Sequence, residues 1–326
     1  MQAMSGLWGL AGAVGVPVLS CGYAIGVEAF LARLGARRRA ALRPWLWLAP
    51  AFLMLGGLLV YPALTTVALS FMDDRASGFA GLRNYRHLAA DRNTLLALWN
   101  NLRWLLVFPL VTAAAGLAIA ALADRVPYEK ALKSAIFMPS ALSFAVAGVI
   151  WRFMYQFQPA GTAQTGTVNA FLRWVSPGFE PRAWVFDPAV SNWALIAGVV
   201  WIQAGYAMVL FSASLKNIPA SHIEAARLEG ANEPQIFFKV ILPSIRSTAV
   251  VVLTTFVIIA LKVFDFVYVM TGGTLGTDVL GNRIYKEMFI FNHFGRASAL
   301  AAILLVAVLP VMIMNIRSSG RQGGPG

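Results

Sequence analysis

Seven stretches of the chain each hold about twenty consecutive, mostly apolar residues, and no other feature limits its fold so strongly. They run approximately over 6–30, 45–70, 100–123, 135–157, 191–215, 244–270 and 296–316. A helix of that length spans a hydrocarbon core about 30 Å thick, whereas core helices of soluble domains are shorter and polar on one face. Composition agrees: 59% of the 326 residues are hydrophobic and 12% charged, against about 25% charged in a soluble domain. So few charges cannot cover two soluble domains, and lipid is the solvent for much of the chain. One cysteine, Cys21, excludes an internal disulfide, and with three histidines it makes a zinc or iron–sulfur centre a poor expectation.

The net charge of +12 does not point to nucleic acid once its distribution is read. With an external N-terminus, the cytoplasmic segments 31–44, 124–134, 216–243 with Arg246, and the tail after Ile316 carry 14 of the 26 Lys and Arg residues. The longer outer segments carry ten, and Arg152 and Lys262 lie inside spans. Short cytoplasmic loops retain positive charge, and the run Arg37-Arg38-Arg39 is the clearest marker, so N outside and C inside is the expected topology. The first apolar stretch has no Lys or Arg before Leu10 and a basic cluster after it, the order of a retained span rather than of a cleaved signal peptide. Its glycines, including Gly22 and Gly26, have the spacing that permits close helix approach. The expected organisation is an N-terminal helix and basic loop over 1–44, a transmembrane body over 45–316 and a short tail over 317–326, with only the Gly/Pro end expected to be disordered. A short interfacial helix is expected from Tyr285 to Phe294.

The longest cytoplasmic loop reads KNIPASHIEAARLEGANEPQIFFKVILP over 216–243. Ser221 followed by Glu224 has capping-box spacing, so a helix is expected to start near His222 and to stop at Gly230. Pro234 suits the first turn of a second short helix, Gln235 to Val240, which Pro243 closes. Ile223, Ala226 and Leu228 are left for burial against something outside this chain.

Glu224, Ala225, Ala226, Gly230, Val240, Leu242 and Pro243 stand at the spacing E-A-A-x(3)-G-x(9)-I-x-L-P, with Val240 for the usual Ile. In this place between two spans, the pattern resembles the integral membrane subunits of binding-protein-dependent ABC importers. From about Pro44 onward the chain is similar to their sugar branch, especially the larger maltose permease and the α-glucoside permeases, in YPALTTVALSF from Tyr61, GLRNY from Gly81, SAIFMPSALSFAVAGVIWRFMY from Ser134 and VFDFVYVMTGG from Val263. The resemblance implies an all-α polytopic fold, a six-helix importer core plus one extra N-terminal helix, in a bacterial cytoplasmic membrane. It implies that the loop helix docks on a cytoplasmic ATPase whose closure drives alternating access. The implied partners are a second homologous permease, two ATPase subunits and an extracytoplasmic sugar-binding protein, with no nucleic acid. ATP and Mg would belong to the ATPase, because this chain has no G-x(4)-GK[ST] phosphate loop.

A sugar path needs aromatic faces for stacking and polar groups for hydroxyls. Trp201, Gln203 and Tyr206 in the fifth span and Lys262, Phe264, Asp265 and Tyr268 in the sixth are the candidates. Aligned through LKNIP (Leu215 to Pro219), Tyr206 falls on a tyrosine lining the maltose site, while Ile202 and Gln203 fall on lining positions but differ in type. Ordinary helix packing is the alternative for each aromatic. A charge at bilayer depth costs about 2.5–3.5 kcal/mol unless paired or wet. Lys262 and Asp265, three apart on one helical face, therefore either pair with each other against a partner subunit or line a cavity. A membrane enzyme is disfavoured, since neither G-x-S-x-G nor H-E-x-x-H occurs and the histidines lie in separate loops. An ion-driven secondary transporter is disfavoured by the lack of inverted repeats.

Overall fold

The computed structural model describes residues 18, 20–124, 126–159 and 161–320, with side chains to 313. It divides into two compact units, 1–66 and 67–326. In the first, α1 (Ser20–Ala32) turns through Gly35 into the start of α2 (Ala36–Leu69). Most of the first expected span lies outside the described residues, and α1 is its described end. Glu28 accepts a hydrogen bond from the Trp47 indole at 3.1 Å and pairs with Arg43 at 2.9 Å and Arg39 at 3.4 Å. Part of the basic cluster is thus tied within the hairpin, whose buried side chains are Val27 and Leu31. Among the described residues nothing lies within 4 Å of a Cβ added at Gly22 or Gly26.

The second unit continues with α3 (Arg83–Ala90), α4 (Arg92–Ala123), α5 (Glu129–Ala141), α6 (Phe144–Met154), α7 (Thr167–Val175), α8 (Ser191–Lys216) and α9 (Ala220–Leu228). It ends with α10 (Glu233–Ser244), α11 (Arg246–Leu261), α12 (Asp265–Thr271), α13 (Leu280–Tyr285) with a wide turn to Ile290, and α14 (Phe294–Gly320). The tail from 321 lies outside the described residues. The helix expected at Tyr285–Phe294 is found earlier, over Leu280–Ile290.

Among the described residues four helices, α2, α4, α8 and α14, are long and apolar enough to cross a membrane unbroken. Two expected spans are not straight. That at 135–157 is realised by α5 and α6, bent by 104°. Pro139 sits in a tight turn that ends α5, and Ser143, extended at φ −67° and ψ 152°, starts α6 afresh by accepting a hydrogen bond from the Val146 amide at 3.2 Å. The span at 244–270 is preceded by a 71° bend between α10 and α11 and interrupted at Lys262–Phe264 before α12 resumes. Counting each bent pair once gives six spans among the described residues.

Small residues bring α4 and α8 together: a Cβ on Gly116 would stand 2.3 Å from Cβ of Ala207. Around this seam Trp104, Phe108, Ile202, Met208, Phe211, Phe256 and Phe266 are almost wholly buried. At the other end of α4, away from Ala123, side-chain amides replace apolar contacts. Asn100 donates to the carbonyls of Gly276 and Asp278 at 2.7 and 2.8 Å, Asn192 to Gly276 at 3.0 Å, and the Leu280 amide to Asn101 at 2.7 Å. These bonds fix the turn-rich loop after α12, where Gly272, Gly273 and Gly276 have positive φ. Arg283 joins Asp91 at 3.1 Å and Glu287 at 2.8 Å, and Lys286 joins Asp278 at 3.1 Å. Burial works to raise the Asp91 carboxyl, but the hydroxyl and amide of Thr94, with Arg283, outweigh it and hold it below the ordinary value.

Candidate functional site

Residues 216–243 leave α8 at Lys216 and reach α9 after three residues. The capping box expected from Ser221 and Glu224 is not formed. Pro219, extended at φ −59° and ψ 130°, is the N-cap instead, which places Ser221 inside the first turn where its side chain cannot cap. The capping box of the segment lies one helix later: the Asn232 side chain accepts from the Gln235 amide at 2.9 Å and Gln235 accepts from the Asn232 amide at 3.0 Å. The Asn-x-x-Gln spelling carries the same physics as Ser-x-x-Glu and was the signal to weigh.

Gly230 ends α9 as expected, with φ +83°. The Ala231 amide reaches back to the Ala226 carbonyl and the Gly230 amide to the Arg227 carbonyl, both at 3.0 Å, which is the Schellman arrangement. Arg227 and Glu233 pair at 2.9 Å across the turn. The second helix is longer than expected; Pro243 lies inside the last turn of α10 and the break follows at Ile245. Glu224 and Ala225 are exposed, Ala226, Val240 and Leu242 half-buried, Pro243 exposed, and Leu228 is 91% exposed.

The sugar candidates fall into two groups. On α8, Ile202 is in the core, and Tyr206 packs edge-on against Phe256 of α11 with ring centroids 6.2 Å apart. Trp201 meets Trp151 edge-on at 5.7 Å, and the Gln203 side chain is half-buried. On the interrupted span, Lys262, Phe264 and Asp265 share a cleft of about 250 Å³ with Phe144, Ile259 and Val263. Lys262 and Asp265 are both exposed and do not pair with each other, because the helix on which i,i+3 spacing would align them is broken between them. Arg152 lines a larger cleft of about 840 Å³ beside Gln156 and Tyr268.

Sequence reading missed two rings. Phe264, Tyr268, Tyr285 and Phe289 form one aromatic cluster with successive centroids 5.1 to 5.7 Å apart. Tyr285 and Phe289 come from a separate element, and only the four-residue rhythm 285–289 along one helix face hinted at them. Among the described residues no group of three or more His, Cys, Asp and Glu side chains comes together as a metal site.

Residues 113–317 match the family model described as the binding-protein-dependent transport system inner membrane component. The chain is 49% identical over 272 residues to the osmoprotective compounds uptake permease protein GgtC of Synechocystis sp., covering 83% of this chain and 97% of that one. It is 45% identical over 285 residues to the alpha-glucoside transport system permease protein AglF of Rhizobium meliloti, covering 87% and 84%. A crystal structure of a bacterial ABC transporter involved in alginate import shares the fold, with a TM-score of 0.71 at 22% identity over 86% of this chain and 99% of that chain. The span pattern, the E-A-A loop on its exposed helix and the family match converge: this chain belongs to the inner membrane components of binding-protein-dependent transport systems, the permease subunits of ABC importers.

Proposed function

We propose that this chain is the permease subunit of an ATP-driven importer that moves an α-glucoside or related disaccharide across a bacterial cytoplasmic membrane by alternating access. The observation that carries the reading is α9: the E-A-A helix stands exposed, is stopped by a Schellman turn at Gly230, and presents Leu228 with no cover. A cytoplasmic ATPase subunit, holding ATP and Mg, is the partner that fills that contact through Glu224, Ala225, Ala226 and the Val240–Pro243 segment. A second homologous permease completes the membrane portion, with two ATPase subunits below it and an extracytoplasmic sugar-binding protein delivering substrate. In this arrangement the N-terminus is outside and the C-terminus cytoplasmic.

The sugar reading is supported by the similarity to the alpha-glucoside permease and by the chemistry of the interrupted span. There, two unpaired charges lie beside a cluster of four aromatic rings, the combination that stacks pyranose faces and bonds hydroxyls. The similarity to an osmoprotective-compound permease supports a second reading, in which the cargo is a compound taken up for osmoprotection.

Affinity purification of the tagged chain from its native membrane tests the proposal. A second permease and an ATPase should accompany it, and the reconstituted complex should import radiolabelled maltose, sucrose or trehalose only with ATP and the binding protein. Import of none of these sugars, with import of an osmoprotectant, favours the second reading. Import driven by an ion gradient without ATP rejects both.

A further inference from the structure

Away from the cleft, an ion cluster joins three helices at the root of the E-A-A segment. Asp124 caps the C-terminus of α4, Glu129 and Lys133 lie one turn apart at the start of α5, and Ser212 and Lys216 lie one turn apart at the end of α8. The Lys133 ammonium donates to Asp124, to Ser212 and, at 2.6 Å, to Glu129, so its three protons meet three acceptors. The Ser212 hydroxyl donates on to Asp124 at 3.1 Å. Glu129 also receives the Lys216 ammonium. Two acids and two bases are fully matched. The centre is enclosed, with the Lys133 side chain 14% exposed, while the Lys216 leg is open at 54%.

Two features make this cluster more than a brace. Lys216 is the last residue of α8, and three residues separate it from α9. Glu129 and Lys133 begin the helix that ends in the 104° bend to α6. The cluster therefore spans the gap between the segment that meets the ATPase and the sharpest bend in the membrane portion. Paired, hydrogen-bonded charges hold direction as well as distance, so they carry displacement where a sliding apolar contact would not.

Building on the proposed ATP-driven function, we propose that Glu129, Lys133 and Lys216 are positioning residues of a clamp that passes movement of α9 to the α5–α6 bend. Lys216 is the informative site, because an exposed ion pair adds little to static stability, so breaking it separates transmission from folding. Lys133 is less informative, since removing it leaves the half-buried Asp124 carboxylate without its cation and destabilises the chain directly.

The test uses the complete complex with its copurifying partners and binding protein in proteoliposomes, measuring radiolabelled sugar imported per ATP hydrolysed and the melting temperature of the complex. Lys216→Met should assemble and melt as wild type, yet import at least threefold less sugar per ATP; Lys216→Arg, which keeps the charge, should restore the ratio. A wild-type ratio in Lys216→Met overturns the clamp alone. A reduced ratio that appears only with a lowered melting temperature and is not restored by Arg makes the cluster structural and also overturns it. A wild-type complex in which ATP drives no import overturns the functional reading, and the clamp with it.

Discussion

Gly205 sits on α8 where that helix crosses the backbone of α5, and the close approach can be tested by a single methyl group. A Cβ built there stands 2.3 Å from the Ile136 carbonyl oxygen, 2.7 Å from Cα of Phe137 and 3.0 Å from the Ile136 carbonyl carbon. The first distance is about 1 Å short of ordinary van der Waals contact, and every clashing atom is backbone, so no rotamer change relieves it. Overpacking of this kind costs about 1–3 kcal/mol, and the better helix propensity of alanine returns roughly 0.5–1 kcal/mol. Immovable backbone sets the cost at the upper end of that range, so Gly205→Ala should destabilise by about 2–2.5 kcal/mol, which for a body of this size lowers the melting temperature by roughly 4–10 °C. Gly178→Ala, where nothing lies within 4 Å, is the control and should stay within about 0.5 kcal/mol of wild type. Thermal melts of the purified variants in one detergent, followed by tryptophan fluorescence, read the difference. If Gly205→Ala melts at or above wild type while Gly178→Ala is neutral, the two helices are not in backbone contact and the packing described for α8 is wrong.

Gly230→Leu places a side chain in the left-handed region, at a strain of about 1–2 kcal/mol, and re-aims α9. The permease should remain in the membrane but lose ATPase on affinity purification, whereas normal association and transport would remove α9 from the docking role. Tyr206→Ala leaves Phe256 without its edge-on partner and removes a candidate stacking ring. Transport at limiting sugar should fall several-fold, about 0.5–1.5 kcal/mol per ring, with binding-protein affinity unchanged; unaltered kinetics over several sugars would assign Tyr206 to packing alone. Asp91 ionises below its ordinary range, so its contribution to stability is present above the unfolded carboxylate value and lost as pH falls through the lowered native one. Asp91→Asn should flatten the acid limb of the melting-temperature profile, and an unchanged limb would show that the Asp91–Arg283 pair does not act there.

How much was legible in the sequence follows from the range of each interaction. Hydropathy located α2, α4, α8 and α14 because a membrane helix satisfies its own backbone and needs only a run of apolar side chains. Gly230 was legible because a positive φ selects for glycine locally. The bends were not, since hydropathy is indifferent to direction: 135–157 stays apolar across Pro139 and Ser143 although the chain turns by 104°. The capping box was misplaced because two spellings competed within a dozen residues, and Pro219 settled the matter by starting α9 one residue before Ser221 could cap it. That Phe264 and Tyr268 meet Tyr285 and Phe289, and that Lys133 and Glu129 meet Ser212 and Lys216, was not legible because these groups come together only in space. Glu129 and Lys216 are 87 residues apart.

The interruption at Lys262–Phe264 decides what this face of the subunit can border. Phe264, at φ −147° and ψ −66°, lies outside helical geometry, so the backbone there leaves the regular pattern within a span of otherwise apolar residues. Irregular backbone at membrane depth is tolerated only against protein or beside water, since lipid offers no hydrogen-bond partner. Lys262 and Asp265, on either side of the break, are exposed and do not neutralise each other, which adds a second penalty against lipid on the same face. By contrast, Leu106 and Leu110 on α4 are exposed apolar side chains on an unbroken helix, for which lipid is a good solvent. The chain thus has two chemically distinct exposed surfaces. The one that cannot meet lipid carries Phe264, Tyr268 and the cleft beside Phe144.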